Sequence, residues 1–340
     1  MGVTGAGEYI GRHAGRSTPG ANGRLALAVD LGGSRLRVAI VDGGGGIRAR
    51  HDATTPAADG PEAVVGAILA AVGELLPGGA ASRCAAVAVA APGPLDPVTG
   101  VVLAAPNLPG WSGYPLADRL TAALGMPVLV RNDANLAALG ESLYGAGRNR
   151  DPLVYLTVST GVGGAIVQGG HVVEGATGLA GELGHAILLA GGPACNLGHE
   201  GCLEALCSGT AIALRAREEI ARGRESLLRE RARTGGAITA HDVATAAAAG
   251  DPLALEVWTR ATTFLGLAIG SFINIFDPAR VIVGGGVSRS WPLLREPLLA
   301  AAGRVVMSPE RRRVDVVPAA LGDDSGLLGA AACALEHTAY

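Results

Sequence analysis

Leu25-Ala-Leu-Ala-Val-Asp30-Leu-Gly-Gly-Ser-Arg35-Leu-Arg-Val-Ala-Ile-Val41 decides the fold. Its apolar opening, Leu25 to Val29, reads as a buried strand that runs into an acid, Asp30, and then two glycines. Arg35 to Val41 alternates polar and apolar residues at its start, as a second strand should, and Asp42-Gly-Gly-Gly-Gly46 turns the chain. The unit is a β-hairpin that carries a glycine turn. The same order returns later: strand Leu153 to Val158, turn Ser159-Thr-Gly-Val-Gly-Gly164, strand Ala165 to Gln168. The echo lies in topology and hardly in identity, and it predicts two similar α/β lobes.

Strands and helices alternate around these hairpins. Helical spacing covers Pro61 to Leu76, Tyr114 to Leu124 and Asp133 to Tyr144, and then Glu204 to Arg222, Leu253 to Phe276, Trp291 to Ala302 and Ser325 to Glu336. Strands are predicted at Ala85 to Ala91, Pro127 to Val130, Arg280 to Val283 and Val314 to Val317. Gly223 to Gly236 is Arg-rich and reads as a solvated helix end or loop. Such alternation argues for an α/β architecture with ligands at the strand ends. The expected division is a flexible tail (1–23), an N-terminal lobe (24–131) joined by the C-terminal helix (325–340), and a C-terminal lobe (132–324).

Composition excludes several classes. The chain has 340 residues, enough for two domains at about 150 residues each. Hydrophobic residues make up 49% and charged residues 17%, so a sizeable core is available. A net charge of −3 gives no basic field for nucleic acid. All 27 basic residues are arginine, which removes the lysine of a P-loop and Schiff-base catalysis together. Five unevenly spaced cysteines do not form a disulfide framework. No apolar signal segment opens the chain, and the longest apolar run, Phe264 to Phe276, is too short to span a bilayer. A cytoplasmic protein without a membrane or nucleic-acid partner is expected.

Five constellations carry chemistry. Asp30-Leu-Gly-Gly-Ser34 ends the first strand. Glycines let backbone N–H groups approach phosphate oxygens, and an acid beside them suits Mg²⁺. Ser159 to Gly164 is the matching turn, and Gly284-Gly-Gly-Val-Ser288 follows a late strand. One such turn is an ordinary hairpin. Three, each directly after an apolar strand, fit a nucleotide lying between two lobes. A dinucleotide site fits poorly, because the first turn leads into a strand and not a helix. In Arg131-Asn-Asp-Ala-Asn135, Asp133 stands at a strand-to-helix junction, where it either caps the helix or serves as a general base for a hydroxyl attacking phosphorus. Finally, Gly181-Glu-Leu-Gly-His185 precedes Cys195-Asn-Leu-Gly-His199-Glu-Gly-Cys202-Leu-Glu204. His185, Cys195, His199 and Cys202 make a plausible Cys2His2 zinc set, against buried free thiols as the plain alternative.

In combination, the segments at 30–39, 107–111, 131–141, 159–167, 181–185, 201–204 and 281–288 resemble the ROK family of sugar kinases and repressors. That family sits within the actin-like ATPase/hexokinase superfamily. The resemblance spans about Leu25 to Glu336. It implies two actin-like, ribonuclease H-like lobes with the active site in the cleft between them. It implies an ATP-dependent kinase acting on a primary hydroxyl of a hexose, glucose first, with an amino sugar or cyclitol kinase or a non-catalytic sugar sensor as alternatives. By resemblance Asp133 is the catalytic base, and Asn107, Asn132, Glu182, His185 and Glu204 hold sugar hydroxyls. Asp30, Gly32, Gly33, Ser34 and Arg35, with Thr160, Gly161 and Gly163, are the phosphate elements, and Gly284 and Gly285 the adenosine element. ATP with Mg²⁺, a sugar substrate and a homodimer are implied.

This chain departs from the family at three points. Leu197 stands where a further zinc-binding cysteine is usual, so three outcomes stay open: zinc lost, zinc held weakly, or a site completed by His199 as fourth ligand. Ser34-Arg35 replaces the usual Thr-Lys, keeping a hydroxyl and a charge but not the same geometry. About two dozen residues precede the first strand, too few for a DNA-binding helix-turn-helix.

Overall fold

The computed structural model describes residues 24–77, 84–105 and 108–337. The chain opens with β1 (Leu25–Leu31), β2 (Arg35–Asp42) and β3 (Ile47–Thr54), followed by α1 (Pro61–Leu75) and β4 (Cys84–Ala91). A small ribbon of β5 (Leu95–Asp96) and β6 (Val101–Val102) precedes α2 (Leu116–Leu124), β7 (Val128–Asn132) and α3 (Asp133–Tyr144). Then come β8 (Leu153–Val158), β9 (Val162–Gln168) and β10 (His171–Val172). A helical stretch follows: α4 (Leu203–Cys207), α5 (Gly209–Ala221), α6 (Arg229–Arg233), α7 (Ala240–Ala248) and α8 (Pro252–Phe276). The chain finishes with β11 (Arg280–Gly284), α9 (Trp291–Gly303), β12 (Asp315–Pro318) and α10 (Ser325–His337).

The strands form two five-stranded sheets, β3-β2-β1-β4-β7 and β10-β9-β8-β11-β12. In each, three antiparallel strands are extended by two parallel ones. The echo read between the two hairpins is thus a repeat of the whole sheet order. Period-two alternation sorts each sheet's residues between two faces. On the first sheet, Leu27, Val29 and Leu31 pack with Ile68 of α1 and Leu116 and Leu120 of α2. Ala26 and Ala28 point the other way, to Leu327, Ala330 and Ala331 of α10 and Leu136 and Leu139 of α3. On the second sheet, Val154, Leu156 and Val158 pack with α4, α5, α7, α8 and α9. Leu153 and Tyr155 face Ala137 and Ala138 of α3.

So α3 touches both sheets, and α10 crosses it. The crossing is made of small residues. A Cβ on Gly140 would stand 2.3 Å from the Ser325 carbonyl oxygen, and one on Gly329 would stand 1.7 Å from the Leu136 carbonyl oxygen. Glu141, fully buried, pins the same junction. Its carboxylate accepts from Ala146 N (2.7 Å), Ala320 N (3.1 Å), Leu321 N (2.8 Å) and Ser325 Oγ (2.9 Å).

The predicted elements are present, with corrections. The single helix expected over Glu204 to Arg222 breaks at Ser208, whose extended backbone ends α4 and whose Oγ accepts from Ala211 N at 3.1 Å to cap α5. The strand expected at Pro127 to Val130 runs to Asn132, so Asp133 begins α3 directly. The loop expected over Gly223 to Gly236 contains α6. The tail 1–23 lies outside the described residues.

Candidate active site

The hairpin register sets the first corner. Asp30 and Arg37 stand opposite each other across β1 and β2, and Arg37 NH1 donates to Asp30 Oδ2 at 2.6 Å. The turn between them closes through Gly32 N to the Arg35 carbonyl (2.9 Å). Thr55 braces it, giving Oγ1–H to the Gly32 carbonyl (2.7 Å) and N–H to the Ser34 carbonyl (3.2 Å). Burial raises the Asp30 pKa, although Arg37 opposes the shift. The other carboxylate edge lies against Gly326 in the first turn of α10.

The second corner is the turn between β8 and β9. Two carbonyls in it are bound from the start of α5: Gly209 N donates to Ser159 O (2.7 Å), and Thr210 Oγ1 donates to Thr160 O (2.8 Å). Glu204 Oε2 accepts from Val162 N at 3.0 Å, tying α4 to the same turn. Gly161 leaves room for that bond: a Cβ would stand 2.3 Å from the Glu204 carboxylate, which would have to move off Val162 N. The third corner reaches the second: Gly285, at φ +83°, packs against Val158, where a Cβ would stand 2.4 Å from the carbonyl oxygen. Between the second and third corners opens a cavity of about 610 Å³, lined by Ser159, Thr160, Thr210, Trp258, Gly286 and Arg289 among others.

Asp133 stands at the first position of α3. Asn132, not Asp133, caps the helix: its Oδ1 accepts from Ala134 N (2.9 Å) and Asn135 N (3.2 Å). Asp133 Oδ1 also accepts from Ala134 N at 2.8 Å. Burial pushes the Asp133 carboxyl up to about 6; the Ala134 bond pulls it down, and the charges of Asp30 and Glu182 push it further up. Asp30, Asp133 and Glu182 therefore lie close enough to feel one another's charge. The second corner adjoins them, since a Cβ on Gly163 would stand 3.1 Å from Ala134 Cβ. Gly184 seats the Glu182–His185 segment on β9, where a Cβ would stand 1.9 Å from the Val162 carbonyl oxygen.

The sequence-predicted metal set is brought together in part. His185 Nδ1 lies 3.2 Å from His199 Nδ1 and 3.9 Å from Cys195 Sγ. These three offer ligand atoms within 4.8 Å of one another. Tetrahedral zinc with Zn–N bonds of about 2.0–2.1 Å separates two nitrogens by about 3.3 Å, so the donor set fits the ion. Cys202 stands outside that group, buried beside Cys195 and sharing a hydrogen bond with it. Leu197 is half exposed and offers no donor. Asn107 lies outside the described residues.

Sequence reasoning missed Arg37 as the partner of Asp30, although its place opposite Asp30 in the hairpin was a usable signal. It also missed Arg289 and Asp323, which are joined at 2.6 Å. No local pattern announces that pair.

A family model described as ROK family matches residues 26–337. The chain is 37% identical over 311 residues to a glucokinase of Thermotoga maritima, covering 92% of this chain and 97% of that protein. It is 35% identical over 307 residues to an N-acetylmannosamine kinase of Escherichia coli, covering 90% and 96%. A solved ROK family glucokinase from Streptomyces griseus, in complex with glucose and AMPPNP, aligns with a TM-score of 0.77 at 34% identity, covering 92% of this chain and 99% of that one. With the paired sheets, this makes the architecture the actin-like ATPase fold.

Proposed function

The chain belongs to the ROK family, and from that premise we propose that it transfers the γ-phosphoryl group of ATP to a primary hydroxyl of a hexose, glucose yielding glucose 6-phosphate. One observation carries the chemistry: a carboxylate with its pKa raised to about 6, at a helix start beside a glycine corner and a second acid. Asn132 satisfies the helix end, and Asp133 Oδ1 rests on Ala134 N. Asp133 Oδ2 is then the atom that takes the hydroxyl proton. The sugar oxygen forms its bond to the γ-phosphorus as the bond to the ADP oxygen breaks. A base near pH 6 is stronger than an ordinary aspartate and still ionised at neutral pH.

The other roles follow the corners. Asn132, Glu182, His185 and Glu204 orient sugar hydroxyls, with Asn107 in the same role. Gly32, Gly33, Ser34 and Arg35 meet the phosphates from one side, and Thr160, Gly161 and Gly163 from the other. Gly284 and Gly285 lead into Gly286, which lines the cavity that takes the adenosine. Mg²⁺, when bound with the nucleotide, would neutralise phosphate charge. Asp30 would meet it through water, because Arg37 occupies one carboxylate oxygen.

Zinc is part of the reading. His185, Cys195 and His199 would hold it, with Cys202 at hand, and the ion would brace the segment that carries the sugar-facing His185 and Glu204. His199 then takes the place of the usual cysteine at Leu197. Metal analysis should find close to one zinc per chain, lost in His199→Ala and restored when Leu197→Cys is added. Full zinc occupancy in His199→Ala would remove His199 from the site. A homodimer in the cytoplasm completes the proposal. Among the described residues no helix is long and apolar enough to cross a membrane.

The near-equal likeness to an N-acetylmannosamine kinase favours one second reading, an amino-sugar acceptor. A coupled ADP-release assay over glucose, mannose, N-acetylmannosamine, amino sugars and cyclitols decides between them. Glucose should give the highest kcat/KM, and Asp133→Ala should abolish turnover while sugar binding persists. Near-normal turnover in Asp133→Ala would overturn the assignment of the base.

A further inference from the structure

Three arginines converge on one carboxylate between the first and third glycine corners. Asp323 lies in the turn Gly322–Asp324 just ahead of α10. Its Oδ1 accepts from Arg289 NH2 at 2.6 Å. Its Oδ2 faces Arg35 NH1 at 3.4 Å and Arg37 NH2 at 3.7 Å. The arginines come from separate elements. Arg35 leaves the first glycine corner, Arg37 holds Asp30, and Arg289 follows the third corner and lines the 610 Å³ cavity. One carboxylate thus bridges the phosphate corner of the first sheet to the nucleotide corner of the second.

The charges around it are balanced. Arg50 binds Asp52 and Asp324 at 2.6 and 2.7 Å. Four arginines (35, 37, 50 and 289) therefore meet four aspartates (30, 52, 323 and 324), and the network is neutral before any anion enters. Arg35 and Arg289 have side chains 68% exposed, so they can swing, whereas Arg37 is 14% exposed and fixed on Asp30. The chain has no lysine, so arginine supplies every side-chain cation available to a triphosphate here.

We propose that Asp323 is a positioning residue that sets the affinity for the phosphoryl donor: it holds Arg35 and Arg289 as a stand-in anion, and the donor's phosphates take these arginines from it on binding. The inference rests on reading the cavity as the nucleotide site. Removing the carboxylate leaves the network one charge positive, which strengthens its attraction for phosphate.

Titration calorimetry with AMPPNP, ADP and adenosine tests this on the full chain. Asp323→Asn should tighten AMPPNP and ADP by about three- to tenfold, the effect expected of two released exposed ion pairs. Adenosine and glucose affinities should not move, since neither carries phosphate. Arg289→Gln should weaken AMPPNP, and combining it with Asp323→Asn should cancel most of the gain. Raising the salt should shrink the gain, because exposed charges are screened. Unchanged or weaker AMPPNP binding by Asp323→Asn, with adenosine binding intact, overturns this inference alone. Failure of the wild-type chain to bind adenosine overturns the reading of the cavity, and this inference with it.

Discussion

At pH 7 the Asp133 carboxylate is ionised in a place that favours its neutral form, because burial lifts its pKa to about 6. The rate should show this. With glucose and ATP as substrates, kcat/KM should fall about tenfold per pH unit below a midpoint near 6, since a protonated base cannot accept the hydroxyl proton. An acid limb centred near pH 4 would mean that Asp133 is not the titrating group. The fold should show the same burial with the opposite preference. The folded-state pKa lies above the ordinary carboxylate value, so the stability this group contributes is fully present below about pH 4 and is lost as pH rises through about 6. Two units correspond to about 3 kcal/mol at most. Asp133→Asn keeps the shape and the acceptor for Ala134 N. It should therefore unfold at higher urea than the wild type at pH 8, by about 1–3 kcal/mol, with the difference gone near pH 4. A variant less stable at pH 8 would contradict the burial argument.

Helices α3 and α10 meet where neither tolerates a side chain. Gly329→Ala would press a methyl group into the Leu136 carbonyl, which is backbone and cannot rotate away. A loss of about 3 kcal/mol or more in urea unfolding is expected, against a gain of about 0.5–1 kcal/mol for Gly73→Ala in α1, where a Cβ meets nothing and alanine is the better helix former. Equal effects at the two positions would show that the helices can separate without cost. The sequence made these helices legible through their apolar spacing, and β1, β2, β4, β8, β9 and β11 through their Val- and Ala-rich runs. It hid β3, whose residues alternate between half-buried and exposed and which carries Arg48, Arg50 and Asp52 on its exposed positions, with no long apolar run to mark it. It hid the break at Ser208, because apolar spacing continues through Cys207 and resumes at Ile212. In the site, Asp133 and the glycine corners were legible because strand ends mark them. The capping role of Asn132 was not separable from that of its neighbour without backbone geometry. The meeting of Arg35 with Asp323 spans 288 positions, beyond any periodic signal.

At the scale of the whole molecule, the two sheets own separate cores. One joins β8, β9 and β11 to α4, α5, α7, α8 and α9; the other joins β1, β2, β4 and β7 to α1 and α2. Between them lie α3 and α10, packed largely through alanine, glycine and leucine. Glu141 and the glycine contacts lock α3 to α10, so relative movement of the two halves should carry this pair as a unit and be cheaper than loosening either core. A ligand gripped by both halves then couples them. Calorimetric scans of the free protein should show two overlapping transitions, one for each core. Glucose and AMPPNP together, each at about one hundred times its Kd, should each add about 2.7 kcal/mol of stabilisation if the sites are independent, and should merge the two transitions into one at higher temperature. Glucose alone should raise both transitions only if it contacts both halves, as the residues assigned to it on β7–α3 and on the 182–204 segment require. A glucose effect confined to one transition would separate those residues into two sites and undo the proposed sugar site.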